Sequence, residues 1–131
     1  MIVLDTHVLV WWVSGASRLS SRAARAIRTA LLAGPAIASA VSILEIATAV
    51  RRGRLALTVP VDDWLEDLRV LPELRFEPLG FDIAKRAGAL GDAVPGDPAD
   101  RIIVATALWL GAKLVTADAR LSNASLVQTI W

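Results

Sequence analysis

Side chains that most often act as nucleophiles or general bases are scarce in this chain. Its 131 residues include no cysteine and one histidine, and no G-x-S-x-G sequence or glycine-rich phosphate loop occurs. The absence of cysteine excludes a disulfide scaffold and a thiolate metal site. The other absences exclude a serine-hydrolase triad and phosphate binding by a glycine-rich loop. Any catalytic chemistry therefore has to use other polar side chains.

Long apolar runs are missing as well, although 55% of the residues are hydrophobic and the mean hydropathy is +0.54. The longest apolar run, residues 102–112, is well short of the roughly 20 residues that span a bilayer. The segment MIVLDTH has no basic region and contains Asp5, so we expect no signal peptide. The composition predicts a cytoplasmic protein without a membrane segment, folded as a single domain over residues 1–131.

The net charge of +1 does not by itself predict a nucleic-acid partner, but the charges are unevenly distributed. Basic residues outnumber acidic ones in residues 1–61, and acidic residues outnumber basic ones in residues 62–131. Arg22, Arg25 and Arg28 recur at helical spacing, so we expect them on one face of a helix. Such a face could bind phosphate or an acidic partner, or it could simply be solvated.

Short apolar runs alternate along the chain with segments of helical periodicity. The runs predict strands at residues 2–5, 35–40, 75–79, 113–118 and 126–130. The periodic segments predict helices at residues 20–34, 41–53, 61–71, 82–91 and 97–112, with a shorter helix that ends at Gly15. This alternation predicts an α/β fold with a mostly parallel sheet. In such sheets the functional site lies at the carboxyl ends of strands, which here carry Asp5 and Asp118.

Four acidic residues stand in apolar surroundings. Asp5 follows IVL, Glu45 lies within SILEIATAV, Asp100 precedes RIIVATALWL, and Asp118 follows LVTA. A carboxylate within an apolar helix, such as Glu45, is costly unless it is paired or bound, although it could point outward to a basic residue. Four carboxylates within ~5 Å would repel by about 3 kcal/mol per pair at an effective dielectric near ~20, so a cluster would take up protons or a cation.

Helix capping is the alternative explanation for the aspartates. Asp5 and Asp118 could begin the helices that follow their strands. Asp97 precedes Pro98 and so forms a good N-cap, which is the preferred explanation for Asp97. Asp100 then becomes the third helical residue, where an acid faces the positive end of the helix. Capping and a site role are equally well supported for Asp100.

A shared pocket of carboxylates would have a definite chemistry. Ligand sets made only of oxygen select hard ions such as Mg²⁺ or Mn²⁺, and a Mg²⁺ site normally keeps several waters. These ions activate a water molecule and hold phosphate oxygens during phosphodiester hydrolysis. The acids taken together therefore indicate a metal-dependent phosphodiesterase.

Four segments of the chain together resemble a known family. MIVLDTHVLVWW, SAVSILEIA, GDPADRIIVATA and LVTADARL occur in the order and spacing of PIN-domain nucleases, and they are especially similar to VapC-type toxins of bacterial type II toxin–antitoxin pairs. The resemblance covers the whole chain. It implies a three-layer α/β/α sandwich with four to five short strands and cleavage of RNA with Mg²⁺ or Mn²⁺.

The resemblance also implies roles for individual residues and partners. Its four catalytic, metal-binding acids match Asp5, Glu45, Asp118 and, within the D-P-x-D-R segment, Asp100 rather than Asp97. The implied supporting or substrate contacts fall at Thr6, Thr116 and Asp97. Toxins of this group usually form homodimers and are silenced by a cognate antitoxin protein, so Arg22, Arg25 and Arg28 are expected to contact either RNA or the antitoxin.

Two other interpretations remain open from the sequence. A regulatory binding module could keep the same fold, with the acids retained as helix caps and no turnover. An aspartyl phosphatase also has an acid after its first strand, but it requires a second aspartate two residues later, where this chain has His7. A lone histidine beside an acid is more often a structural hydrogen-bond donor, so we do not expect His7 to be catalytic.

Overall fold

A parallel β-sheet forms the middle layer of the protein. The computed structural model describes residues 1–15 and 17–131, and within them five strands are hydrogen-bonded in the order β3-β2-β1-β4-β5, with every pairing parallel. The strands are short, and β1 and β2 are buried along their whole length. Their bounds are β1 Ile2–Leu4, β2 Ala36–Ser39, β3 Leu74–Glu77, β4 Lys113–Val115 and β5 Thr129–Ile130.

Helices connect the strands, as parallel pairing requires. The described part of the chain contains α1 Thr6–Val13, α2 Ser21–Leu31, α3 Val41–Arg51, α4 Val61–Arg69, α5 Phe81–Ala89, α6 Pro98–Leu110 and α7 Ala119–Asn123. The first six lie within a few residues of the predicted helices. Even α6, the longest of them at 13 residues, could not cross a bilayer, and the same holds for every other described helix.

Two apolar cores lie on opposite faces of the sheet, because alternate strand residues point to opposite sides. Leu4 packs in one core with Leu9 of α1 and Ile27 of α2. Val3 packs in the other core with Ile103 of α6 and Leu121 of α7. Strand residues buried on both faces are typical of a sheet covered on both sides. The predicted three-layer α/β/α sandwich with a sheet of four to five strands is therefore confirmed.

Several element boundaries differ from the predictions for identifiable reasons. The predicted strand 2–5 ends at Leu4, because Asp5 is already the N-cap of α1 and accepts a hydrogen bond from the backbone N–H of Thr6. The predicted strand 113–118 likewise ends at Val115, since Asp118 is the N-cap of α7. The helix that Asp118 could begin is α7, whose bounds were not predicted because its 5 residues are too few to show a helical period.

The strand order places β1 beside β4 at the centre of the sheet. Leu4 lies opposite Val115, so the residues that follow these strands, Asp5 and Thr116, emerge side by side. From β1 the chain crosses to β2 on one side, and it later reaches β4 on the other side. This switch in strand order creates the crevice in which open α/β sheets bind ligands.

One charged side chain closes the end of α5 and holds the turn before α6. The guanidinium of Arg101 donates from Nε to the carbonyl of Ala87 at 3.0 Å and from Nη1 to the carbonyls of Gly91 and Val94 at 3.4 Å each. Nη2 donates to the carbonyl of Leu90. A cation at a helix C-terminus also interacts favourably with the helix dipole. Arg101 therefore fixes the turn that leads into the N-terminal end of α6.

We expect Arg101→Met to lower the free energy of unfolding by about 2 kcal/mol, because it leaves several partly buried carbonyls without a charged donor. Thermal unfolding measures this loss. Lys85→Met is the matched control, since Lys85 is an exposed cation on the neighbouring helix and should change stability by less than about 0.5 kcal/mol. Equal melting temperatures for the two variants would contradict the role given to Arg101.

Candidate active site

Asp5 is the most buried acid of the site, with 7% of its surface exposed. One carboxylate oxygen, Oδ1, accepts a hydrogen bond from the backbone N–H of Thr6 at 2.8 Å. The other, Oδ2, accepts one from the hydroxyl of Thr116 at 2.7 Å. The same Thr116 hydroxyl accepts from the backbone N–H of Asp118 at 3.0 Å. Thr116 therefore links the acid after β1 to the acid after β4.

Glu45 reaches the site from α3 through a chain of hydroxyl groups. The Thr6 hydroxyl donates to Oε1 of Glu45 at 2.5 Å, and it lies 2.8 Å from the hydroxyl of Ser42. A hydroxyl has one hydrogen to donate, so Ser42 must donate to Thr6 while Thr6 donates to Glu45. Ser42 is fully buried and precedes Glu45 by three residues on the same helix. Its hydroxyl thus orients Thr6 towards the carboxylate.

Asp100 lies in the first turn of α6, with its side chain 16% exposed. The pKa of its carboxyl is raised to about 6, mainly by burial and then by the negative charges of Asp97 and Asp5, while Arg120 opposes them. Glu45 adds a smaller effect in the same direction as the other acids. A shift of this kind shows that the charged form of Asp100 is costly where it stands.

Ionisation of Glu45 is also unfavourable, because Glu45 too is partly buried and lies near other acids. Burial raises the pKa of its carboxyl, and the Thr6 hydrogen bond partly offsets this effect. The charges of Asp5 and Asp97 raise the pKa of Glu45 further. The charge of Asp5 therefore makes ionisation of both Glu45 and Asp100 less favourable, and the charge of Glu45 does the same at Asp100.

Asp118 is held differently, by the guanidinium of Arg120. Nη2 of Arg120 lies 2.7 Å from Oδ2 of Asp118, and Nε lies 3.1 Å from Oδ1. The backbone N–H of Arg120 also donates to Oδ1, at 2.9 Å. The side-chain hydrogen bond from Arg120 is the main cause that lowers the pKa of the Asp118 carboxyl. Nη2 of Arg120 lies 3.5 Å from Oδ2 of Asp100, so one guanidinium faces both acids.

Asp97 begins α6 as the sequence predicted. Its Oδ1 accepts hydrogen bonds from the backbone N–H groups of Ala99 at 2.8 Å and Asp100 at 3.4 Å, with Pro98 as the first helical residue. Its charge also raises the pKa values of Glu45 and Asp100. Asp97 is therefore a helix cap that contributes negative charge to the site.

A groove of about 720 Å³ opens beside these acids. Its walls include Thr6, Glu45 and Asp97 from the site. Apolar and basic side chains of α1, of the segment between α1 and α2, of α3 and of the segment after α3 complete them, among them Trp11, Arg18, Leu44, Arg52 and Arg54. The guanidinium of Arg18 lies over the ring of Trp11, 5.9 Å from its centroid. The groove thus combines an acidic site, an aromatic side chain and several cations.

The structure brings together some predicted site residues and separates others. The charge of Asp5 acts on both Glu45 and Asp100, and Asp118 is linked to Asp5 through Thr116 and to Asp100 through Arg120. The predicted basic side chains Arg22, Arg25 and Arg28 are exposed on α2 and do not line the groove. His7 is exposed and packs against Trp11, with 5.9 Å between ring centroids.

The sequence interpretation missed two polar side chains at the site. Ser42 could have been found from its position one helical turn before Glu45, which places both on one face of α3. Arg120 could have been found as the basic residue in TADAR, two positions after Asp118. Neither position is decisive alone, because the contacts depend on side-chain rotamers that a sequence does not specify.

The donor set fits a hard divalent cation. In residues 1–15 and 17–131, no three Asp, Glu or His side chains lie close enough together to hold a metal ion directly. Mg²⁺ usually takes only one or two carboxylates and keeps several waters, so spaced oxygen donors suit it. A cation would also relieve the unfavourable ionisation of Glu45 and Asp100. Asp5, Glu45, Asp100 and Asp118 are therefore suitable ligands by chemistry.

Fold and site together define an α/β/α protein with an acidic crevice at the strand-order switch. A model of the PIN domain family matches residues 2–126. Ribonuclease VapC22 of Mycobacterium tuberculosis (strain ATCC 25618 / H37Rv) is 39% identical over 122 residues, which are 93% of this chain and 90% of that protein. The chain belongs to the PIN-domain family, and its resemblance to VapC-type members is confirmed.

Solved structures show the same fold at low sequence identity. A toxin–antitoxin complex from Klebsiella pneumoniae matches with a TM-score of 0.62 and 21% identity over 97% of this chain and 92% of that one. FitAcB from Neisseria gonorrhoeae matches with a TM-score of 0.69 and 22% identity over 98% and 96%. FitAB bound to an IR36 DNA fragment matches with a TM-score of 0.68 and 22% identity over 98% and 93%.

Asp100 makes the stability of the metal-free protein depend on pH. Its pKa rises from 3.8 to about 6 on folding, so the folded state binds this proton more tightly than the unfolded chain. The resulting stability is complete below about pH 4 and is lost as the pH rises through about pH 6. In the presence of a chelator, Asp100→Asn should therefore be more stable than the parent at about pH 8, by roughly 2–3 kcal/mol.

Melting curves between about pH 4 and pH 8 test this expectation. Asp92→Asn serves as the control, because Asp92 is an exposed acid in the turn before α6. Parallel pH profiles for the parent and Asp100→Asn would show that Asp100 does not carry the pH dependence.

Proposed function

We propose that this protein is a metal-dependent endoribonuclease that acts in the cytoplasm as the toxin of a type II toxin–antitoxin pair. The observation that carries the proposal is the convergence of acids at the strand-order switch in a chain 39% identical to a protein named as a ribonuclease. The catalytic acids are Asp5, Glu45, Asp100 and Asp118, and the whole chain forms one PIN domain.

These four carboxylates would hold one or two Mg²⁺ or Mn²⁺ ions. A divalent ion bound there supplies two things, a lowered pKa for a coordinated water and neutralisation of phosphate charge. The protein's own hydrogen bonds orient the ligands. The Thr6 N–H and the Thr116 hydroxyl fix both oxygens of Asp5, and the Ser42 and Thr6 hydroxyls aim Glu45.

The groove offers a path for the RNA strand towards the acids. Arg18, Arg52 and Arg54 can neutralise backbone phosphates, and Trp11 offers an aromatic face for base stacking. A cationic groove with an aromatic side chain is the usual combination for binding single-stranded nucleic acid. The exposed arginines of α2, predicted from the sequence, are the second candidate for this contact or for binding the antitoxin.

The partners are proposed on the same basis. One structure of similar fold is a toxin–antitoxin complex, and another is FitAB bound to a DNA fragment. We therefore expect a cognate antitoxin to bind this chain and cover its groove, and we expect the toxin to form a homodimer. Copurification with the product of an adjacent reading frame and light scattering of the isolated chain measure these two properties.

Cleavage of RNA with Mg²⁺ is the direct test of the activity. Asp5→Asn and Asp100→Asn should each lower the cleavage rate at least about 100-fold. Each variant removes a negative charge that would hold the metal ion, and a bound metal ion stabilises the transition state by several kcal/mol. The control is Asp62→Asn, which changes an exposed acid on α4 and should leave the rate unchanged. Cleavage that persists in chelator, or in both site variants, would contradict the proposal.

A catalytically silent binding module is the second candidate. It is favoured by the observation that Asp5, Asp97 and Asp118 each cap a helix and so have a structural use without catalysis. The two functions differ in their response to metal. If the acids bind metal, added Mn²⁺ should raise the melting temperature by mass action, because it binds the folded state. If the acids serve only as helix caps, added Mn²⁺ should leave the melting temperature unchanged.

RNA binding by the inactive Asp100→Asn protein distinguishes the two sets of arginines. Replacing Arg52 and Arg54 with Gln should weaken binding and reduce the slope of log affinity against log salt by roughly 1.4, since each single-strand phosphate contact contributes about 0.7. Replacing Arg22 and Arg25 with Gln removes the same charge from α2 and is the matched control. A larger loss of RNA affinity in the Arg22 and Arg25 variant than in the Arg52 and Arg54 variant would place the RNA on α2.

A further inference from the structure

Arg120 places a positive charge between two of the proposed metal-binding acids. It engages both oxygens of Asp118, through Nη2 at 2.7 Å and Nε at 3.1 Å, and Nη2 also faces Oδ2 of Asp100 at 3.5 Å. A guanidinium presents its donors in a rigid fork that suits such a carboxylate pair. The cation thus lies where negative charge from α6 and from the end of β4 converges.

A metal ion bound to Asp100 and Asp118 would carry the same sign of charge as the guanidinium and would need the carboxylate oxygens that the guanidinium now contacts. Binding of a metal to Asp100 and Asp118 and retention of the guanidinium between them are therefore competing events.

We infer that Arg120 is a built-in competitor for the divalent cation, which neutralises Asp100 and Asp118 in the metal-free protein and is displaced when a metal binds. This inference rests on the proposed metal-dependent function, since it concerns the same site. It assigns to Arg120 the role of setting how much metal the toxin needs.

The side chain is free to leave without disturbing the fold. It is 65% exposed, and exposed ion pairs of this kind are weak. The backbone N–H of Arg120 donates separately to Oδ1 of Asp118, so the N-cap of α7 survives when the guanidinium moves away. Displacement thus requires a change of rotamer and no movement of the chain.

The test measures Mn²⁺ binding to the whole protein in the absence of RNA, from the electron paramagnetic resonance signal of free Mn²⁺. Arg120→Gln should bind Mn²⁺ about threefold to fivefold more tightly than the parent, as expected from release of one exposed ion pair. Arg120→Lys keeps the positive charge but lacks the guanidinium fork, so its affinity for Mn²⁺ should lie between those of the parent and Arg120→Gln. Arg69→Gln is the matched control, because Arg69 forms an exposed ion pair with Glu66 on α4, and it should bind like the parent.

The outcomes separate this inference from the proposed function. If the parent binds Mn²⁺, Asp5→Asn does not, and Arg120→Gln binds with the parent's affinity or more weakly, the inference is wrong while the metal site stands. If neither the parent nor Arg120→Gln binds Mn²⁺, both are wrong. Tighter binding by Arg120→Gln together with parental binding by Arg69→Gln supports the inference. Equally tighter binding by both variants would reveal a general effect of net charge and would overturn it.

Discussion

The parallel pairing of β1 with β4 is the constraint on which the whole site depends. It sets Leu4 opposite Val115, so that a hydrogen bond of 2.7 Å joins Thr116 to Asp5 across 111 residues of sequence. A slip of one residue would turn the alternating apolar side chains of β1 to the wrong faces of the sheet, and the two apolar cores forbid this. The same packing that stabilises the fold therefore fixes the separation of the acids that follow these strands.

The acids share a crevice but stand in different environments, and this difference organises the site. Asp5 is buried with a hydrogen-bond donor on each oxygen, whereas Asp118 faces a guanidinium. Burial dominates at Glu45 and Asp100 and makes their charge unfavourable. Hydrogen bonds or an ion pair stabilise the charges of Asp5 and Asp118, whereas burial destabilises those of Glu45 and Asp100. The protein therefore neutralises the negative charge of the crevice only in part. That imbalance is the physical argument for the proposed cation site.

Much of this could be predicted from the sequence, because apolar periodicity reports burial directly. The order of strands and helices came from that periodicity, the capping by Asp97 came from the Pro98 that follows it, and the family came from the resemblance of four segments. The ends of β1 and β4 did not, since they depend on side-chain bonds made by Asp5 and Asp118. The basic wall of the groove was also missed. A helical wheel identifies a charged face, as at Arg22, but not which charged segments surround a cavity, because that depends on how α1 and α3 pack together.

Three aspartates of the site and its groove satisfy helix N–H groups as well as supplying negative charge: Asp5, Asp97 and Asp118. Asparagine caps a helix about as well as aspartate does. A change of one oxygen to an amide nitrogen can therefore remove charge from the crevice while the helix still starts at the same residue. The negative charge of the crevice can thus be lost while the fold is kept. A single substitution of this kind could therefore remove the proposed activity and still leave a folded surface that partners recognise.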